Sequence, residues 1–185
     1  GGPTIIHGIH LMDSLLWLLG EWETVTALTA TLERTIETED VSAALVRFKN
    51  GTIATIVNSV LSPRQETYLR IDFSKATVEV SGLYAVTHDQ WRWMVNPALS
   101  AEEQAALEKA TALPEVEISP SQETQIRCVY DDMKTGTPPL TTGRERRRTV
   151  EFLTCLYKSA ATGQSVSAGS ITVDDPWYHS FCPVP

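Results

Sequence analysis

Helix first, then a run of strands, then helices again: this order predicts an α+β fold. The expected architecture is an open, mostly antiparallel sheet of about five to seven strands with helices packed on one face. Three observations predict it. An apolar helical run opens the chain, short alternating segments separated by turn residues fill positions 23–95, and capped helical stretches occupy 100–163.

The opening run, Ile9 to Leu19, is almost wholly apolar apart from His10, Asp13 and Ser14, and Gly20 stands where a helix stops. Such a helix is expected to be buried. Glu23 to Glu33 alternates as a strand, with Thr24, Thr26 and Leu28 on one side and Val25 and Ala27 on the other. Glu37-Thr38-Glu39-Asp40 reads as an acidic turn. Val41–Phe48 and Thr52–Leu61 are strands joined by Lys49-Asn50-Gly51, and Asn-Gly is a strong hairpin signal. Both carry apolar residues at both parities, so both faces of the sheet need a cover: helices on one side, another subunit on the other.

Thr67–Phe73 and Thr77–Val80 make a second strand pair. Leu83–Val95, which holds Tyr84, Trp91 and Trp93, supplies one or two more strands. Trp91 and Trp93 share a strand face, as core or interface packing or as a sugar-stacking platform. Ser100 with Glu103 is a capping box for a helix that Pro114 ends. Ser121–Gly136 is a second capped helix with Ile126, Val129, Tyr130 and Met133 on one stripe. The longest helix runs from Thr142 to Gly163, with Val150, Leu153, Cys155, Leu156, Tyr157 and Ala160 as its apolar face.

Composition narrows the function classes. With 42% hydrophobic and 21% charged residues over 185 positions, the chain suits one globular domain with a sizeable core. A net charge of −8 argues against nucleic acid and anionic membrane as partners. The basic cluster of Arg144, Arg146, Arg147 and Arg148 is interrupted by Glu145 and reads as a solvated helix start with room for one buried ion pair. Three scattered cysteines, Cys128, Cys155 and Cys182, fit neither a zinc spacing nor a disulfide framework, so reduced thiols and a cytoplasmic setting are expected. No apolar run reaches the roughly 18 residues of a membrane span. The chain opens on Gly1-Gly2-Pro3 without Met, just ahead of its apolar helix, and a preceding half is expected.

The chemistry-bearing candidates lie on the first helix. His10, Asp13 and Trp17 are spaced i, i+3, i+7 and share a face. Two readings are open. Either Asp13 accepts from His10 as a satisfied polar island in a core, or it fixes the ring tautomer while the other nitrogen faces a substrate as general acid or base. His7, three residues before His10, has helical spacing for a shared metal but no clear third ligand. The chain has no Gly-x-Gly-x-x-Gly turn, phosphate loop, nucleophile elbow or His-Glu-x-x-His helix.

Gly1-Gly2, Gly8-Ile9-His10, Asp13 and Trp17-Leu18-Leu19-Gly20, in that order, resemble the start of the C-terminal domain of the glucose–fructose oxidoreductase / inositol dehydrogenase / MocA family. The hairpin Val46 to Ala54 and the late helix Glu151 to Val166 resemble that family too. The resemblance implies a single domain over 1–185, the substrate-binding and oligomerisation half of an NAD(P)-dependent oxidoreductase acting on a polyol, sugar or cyclic diol. The Rossmann domain with its glycine-rich turn and Glu-Lys-Pro motif is not in this chain. NAD or NADP is therefore expected in the full-length protein and none on this chain alone, which should not turn over by itself. His10 would exchange a proton with the substrate hydroxyl as hydride moves, with His7 beside it and Asp13 orienting it. A departure falls at Ile6, where many members carry a second catalytic Asp. A small-molecule substrate and self-association through the sheet face are the expected partners. The alternative is a non-catalytic dimerisation scaffold with a decayed site.

Overall fold

The computed structural model describes residues 1–82, 86–115, 121–140 and 142–183, with the backbone alone at Arg144. The α+β class holds, and the strands fall into two antiparallel sheets. The chain divides into two compact units, residues 1–63 with 141–185 and residues 64–140.

In the first unit, a π-helical turn over Thr4–Gly8 runs straight into helix α1, Ile9–Leu19. Strands β1 (Trp22–Ala30), β2 (Val41–Phe48) and β3 (Ile53–Ser59) follow as an antiparallel meander. The β2–β3 turn has Gly51 at φ 88°, a left-handed backbone that favours glycine. The first unit also holds α4, Gly143–Thr162, and after it a short strand, Val166–Ser167, that pairs with β1 and completes the sheet order β3-β2-β1 and this strand. Thr142 caps α4 through Glu145 N–H, and Gly163 closes it at φ 67°.

The core of this unit lies between the inner sheet face and α4. Trp22, Val25, Ala27, Ala44, Val46 and Phe48 from the sheet are buried, with Phe152, Leu153, Cys155 and Leu156 from α4 and Met12, Leu15 and Leu16 from α1. Trp22 and Phe152 meet edge to face at 5.3 Å between centroids. Burial pushes the Cys155 thiol up to about 12, so it acts as a small hydrophobe. Trp22 and Val25 both point inward because the β1–β2 register shifts between Trp22 and Thr24.

The opposite face of the same sheet is apolar and open. Leu28, Ala43 and Val57 form one cross-strand row there, and Thr26, Leu45 and Thr55 the next. Leu28, Leu45, Ile53 and Val57 are all exposed.

The second unit holds strands β4 (Thr67–Asp72), β5 (Ala76–Gly82) and β6 (Trp91–Val95) in that order, all antiparallel. Leu69, Ile71, Val78 and Val80 are buried. Trp93 stacks on Phe73 at 6.2 Å, so it packs against a ring of its own sheet. Tyr84 lies outside the described residues. Helices α2 (Ala101–Ala110) and α3 (Gln122–Thr135) belong to this unit, with the capping box at Ser100 and Glu103 formed as the spacing predicts. The α3 stripe of Ile126, Tyr130 and Met133 is exposed.

One expectation needs correction. Helix α1 is buried on one face only, because α4 packs on one side of it; Trp17 and Leu18, and Ile6 just before it, face outward. Within the acidic stretch before β2, Asp40 is fully buried and Glu39 nearly so. Among the described residues, no helix is long and apolar enough to cross a membrane.

Candidate functional site

The site is built on the π turn and α1. A π turn widens the helical repeat locally, a feature frequent at functional sites. His7 sits within it and His10 in the first turn of α1; both are exposed and three residues apart, so they share the outward face. Ile6, Ser14, Trp17 and Leu18 complete that face, all exposed. The Ser14 hydroxyl donates back to the His10 carbonyl at 3.1 Å. Among the described residues, no hydrogen bond reaches the His10 ring, so its nitrogens are open to a ligand.

Asp13 is half-buried and points elsewhere. Its two carboxylate oxygens accept from the Arg146 guanidinium and the Thr149 hydroxyl of α4. The hydrogen bond expected between Asp13 and His10 is not made; the carboxylate clamps α1 to α4 instead. The physical reason is competition: a guanidinium pairs with a carboxylate more strongly than a neutral imidazole does. Among the described residues, Arg146 is the ion-paired member of that basic cluster, and no local pattern identifies which arginine takes the role.

Structure brings His7 and His10 together and holds Asp13 beneath them as an anchor. Among the described residues, no three metal-ligating side chains converge. What the face offers is two imidazoles beside an exposed Trp and apolar neighbours, a pattern suited to a polar organic ligand with an exchangeable proton.

Sequence reading missed the groups beneath the turn. Thr4, fully buried, donates its N–H to Glu39 Oε1 and its hydroxyl to Ser42 Oγ on β2. Tyr157 of α4 donates to the same Glu39 oxygen, and Asn58 of β3 to the same Ser42. Gly8 has ordinary helical angles, φ −61° and ψ −32°, so its glycine is not needed for backbone freedom. It is needed for room: a Cβ there would stand 2.3 Å from Asn58 Oδ1.

Comparison with known proteins finds the same fold elsewhere. Residues 1–79 match the family model for the GFO/IDH/MocA C-terminal domain. D-apiose dehydrogenase of Rhizobium rhizogenes is 26% identical over 169 residues, covering 89% of this chain and 48% of that protein. The WlbA dehydrogenase of Bordetella pertussis, solved with NADH and UDP-GlcNAcA, superposes with a TM-score of 0.72 at 26% identity, over 94% of this chain and 47% of that one. Aldose–aldose oxidoreductase of Caulobacter crescentus, solved with glycerol, shares the fold at a TM-score of 0.69 and 20% identity, over 90% of this chain and 48% of that one. The chain spans about half the length of these relatives. Over its first 79 residues the chain is similar to the C-terminal domain of the GFO/IDH/MocA oxidoreductases.

Proposed function

We propose that this chain is a GFO/IDH/MocA C-terminal domain, the substrate-binding and oligomerisation half of an NAD(P)-dependent oxidoreductase acting on a sugar, polyol or cyclic diol. The observation that carries the reading is the exposed His10 imidazole, with no hydrogen-bond partner among the described residues, on a helix locked to the core by Asp13. Two relatives, a D-apiose dehydrogenase and a WlbA dehydrogenase solved with UDP-GlcNAcA, support the substrate class. This chain has no glycine-rich dinucleotide turn, so the cofactor would be held by a nucleotide-binding half, and this chain alone binds none.

When bound there, the nicotinamide supplies the hydride acceptor and donor. What this chain contributes is proton management and placement. As the carbinol C–H leaves as hydride, the adjacent O–H proton passes to a His10 ring nitrogen and the C–O bond becomes C=O; in reduction His10 returns it. His7, on the same face, hydrogen-bonds a neighbouring hydroxyl. Asp13, clamped to α4, keeps α1 from rotating, so the imidazole is pre-placed when substrate arrives. The open sheet face, with Leu28, Leu45, Ile53 and Val57 exposed, supports self-association through that face. A cytoplasmic setting fits the three free cysteines.

Ile6, where many members carry an Asp, favours a second reading, a dimerisation scaffold without turnover. One experiment separates the two. Full-length wild type and His10→Ala are assayed for reduction of NAD and NADP by D-apiose and by a panel of sugars, polyols and cyclic dihydrodiols. A loss of about 10²-fold or more in kcat with nucleotide affinity intact supports the proton role. Equal activity in the two returns His10 to a structural part, and an inactive wild type favours the scaffold.

A further inference from the structure

The imidazoles of His7 and His10 stand outside, but the segment they ride on is tied down from beneath. Glu39 Oε1 accepts the Thr4 N–H at 3.2 Å and the Tyr157 hydroxyl at 2.8 Å. Thr4 Oγ1 donates to Ser42 Oγ at 2.8 Å, and Asn58 Nδ2 reaches the same oxygen at 3.0 Å. Backbone lies directly on these side chains. A Cβ on Gly2 would stand 2.6 Å from Glu39 Oε1, and one on Gly8 2.3 Å from Asn58 Oδ1. The segment from Gly2 to Gly8 is therefore pinned at both ends and in its middle by one polar cluster.

Such a cluster is a costly way to hold a turn. A nearly buried carboxylate loses its hydration, and apolar packing of the same volume often stabilises as much or more. What it adds is direction, because hydrogen bonds fix orientation where apolar contacts tolerate slippage. Thr4 is the first residue of the π turn, where helical N–H groups lack partners, and Glu39 answers one of them with a charged acceptor. Burial, and then the Glu39 carboxylate beside it, push the Tyr157 hydroxyl well above the usual phenol range, so it stays a donor.

We infer that Glu39 and Tyr157 are positioning residues for the reacting face: by holding Thr4 they set the angle at which His7 and His10 are presented. The inference rests on reading that face as the substrate face. Neither residue touches the reacting atoms.

The test uses the full-length protein in four forms: wild type, Tyr157→Phe, Glu39→Gln and Ser159→Ala. Ser159 is the control, a fully buried α4 hydroxyl that accepts from Ala27 N–H and donates to the Gln164 carbonyl, away from the turn. Hydrogen exchange read by mass spectrometry follows the amides of residues 4–10 and the pH profile of ring C–H exchange at His7 and His10, with His88 as internal reference. Tyr157→Phe is expected to speed amide exchange in 4–10 about tenfold and to displace the His10 ring profile. Glu39→Gln, which keeps an acceptor oxygen, should move both readouts in the same direction by less. Ser159→Ala should lower the unfolding midpoint and leave both readouts in place. If the two variants lower the midpoint as Ser159→Ala does, with exchange in 4–10 and the His10 profile unmoved, the cluster is structural only and the inference falls. These readouts need no substrate. An inactive wild type therefore counts against the oxidoreductase reading and not against the positioning role.

Discussion

On the inner face of the four-stranded sheet, Val25, Val46 and Ala54 stand in one row; one residue along, Thr26, Leu45 and Thr55 make the matching row on the outer face. The strands, the pleat and the β-forming residues are the same for both. Val25 and Val46 have no solvent exposure at all, yet Leu45 is 52% and Val57 71% exposed. The inner face is a core because α4 lies on it with Phe152, Leu153 and Leu156. The outer face is equally β-prone, but its Leu28, Leu45, Ile53 and Val57 side chains stay exposed. Strand propensity thus makes the sheet, and what lies on each face decides whether that face is core or contact surface. A row of exposed leucine, isoleucine and valine is the kind of patch that a second copy covers.

Three substitutions would break or sharpen this contrast. The largest effect is expected on the inner face. Phe152→Ala removes a fully buried ring that packs on Trp22, and should cost about 3–5 kcal/mol of unfolding free energy in urea titration. A loss below about 1 kcal/mol would mean that the inner face is not the core described here.

A second effect belongs to the rim between β1 and β2. Asp40 is fully buried and its carboxylate accepts the backbone N–H groups of Leu32, Glu33 and Arg34. Burial opposes its ionisation, but these three donors win and hold its pKa below the ordinary carboxylate value. A depressed folded-state pKa contributes stability above the unfolded value, about 3.9, and that stability is lost as pH falls through the folded value. Urea midpoints measured from pH 6 down to pH 2.5 should therefore drop steeply below about pH 4 in wild type. In Asp40→Asn the midpoint should be lower at pH 6 and its acid decline shallower. Parallel curves for the two proteins would remove Asp40 from the acid response.

The smallest effect on folding, and the most informative for the outer face, should come from Leu45→Asp. A half-exposed side chain contributes little to intramolecular packing, so monomer stability should change by no more than about 0.5 kcal/mol. The molecular mass measured by light scattering on the full-length protein should fall to that of a smaller assembly. An unchanged mass would place self-association, if any, on another surface.

Part of the candidate site was legible, for reasons that are local. The His10–Asp13–Trp17 spacing lies within two helical turns and groups its members along one side of the helix whatever surrounds them. The exposure of His7 and His10 was not legible, because a nearly all-apolar helix reads as buried, and only packing selects the side with Met12, Leu15 and Leu16 as the covered one. The partner of Asp13 was not legible, because Arg146 is 133 positions away and competes with a histidine three positions away. Nor was the role of Glu39. In sequence it stands in an acidic stretch, and only the approach of Thr4 and Tyr157 makes it a buried acceptor.

By itself the sequence determined whatever a few consecutive residues can enforce. Ser100, Ser121 and Thr142 start helices, and Gly20, Gly136 and Gly163 end them. Lys49-Asn50-Gly51 turns the hairpin, and alternation assigns each strand its two faces. These depend on side-chain-to-backbone bonds and steric limits within about one helical turn. Only the tertiary structure decided how seven strands divide into two sheets, which acid is buried, and that Asp13 clamps α4 and does not orient a histidine. Each of those outcomes is a competition among groups far apart in sequence, and burial, by changing the cost of an unpaired charge, selects the winner.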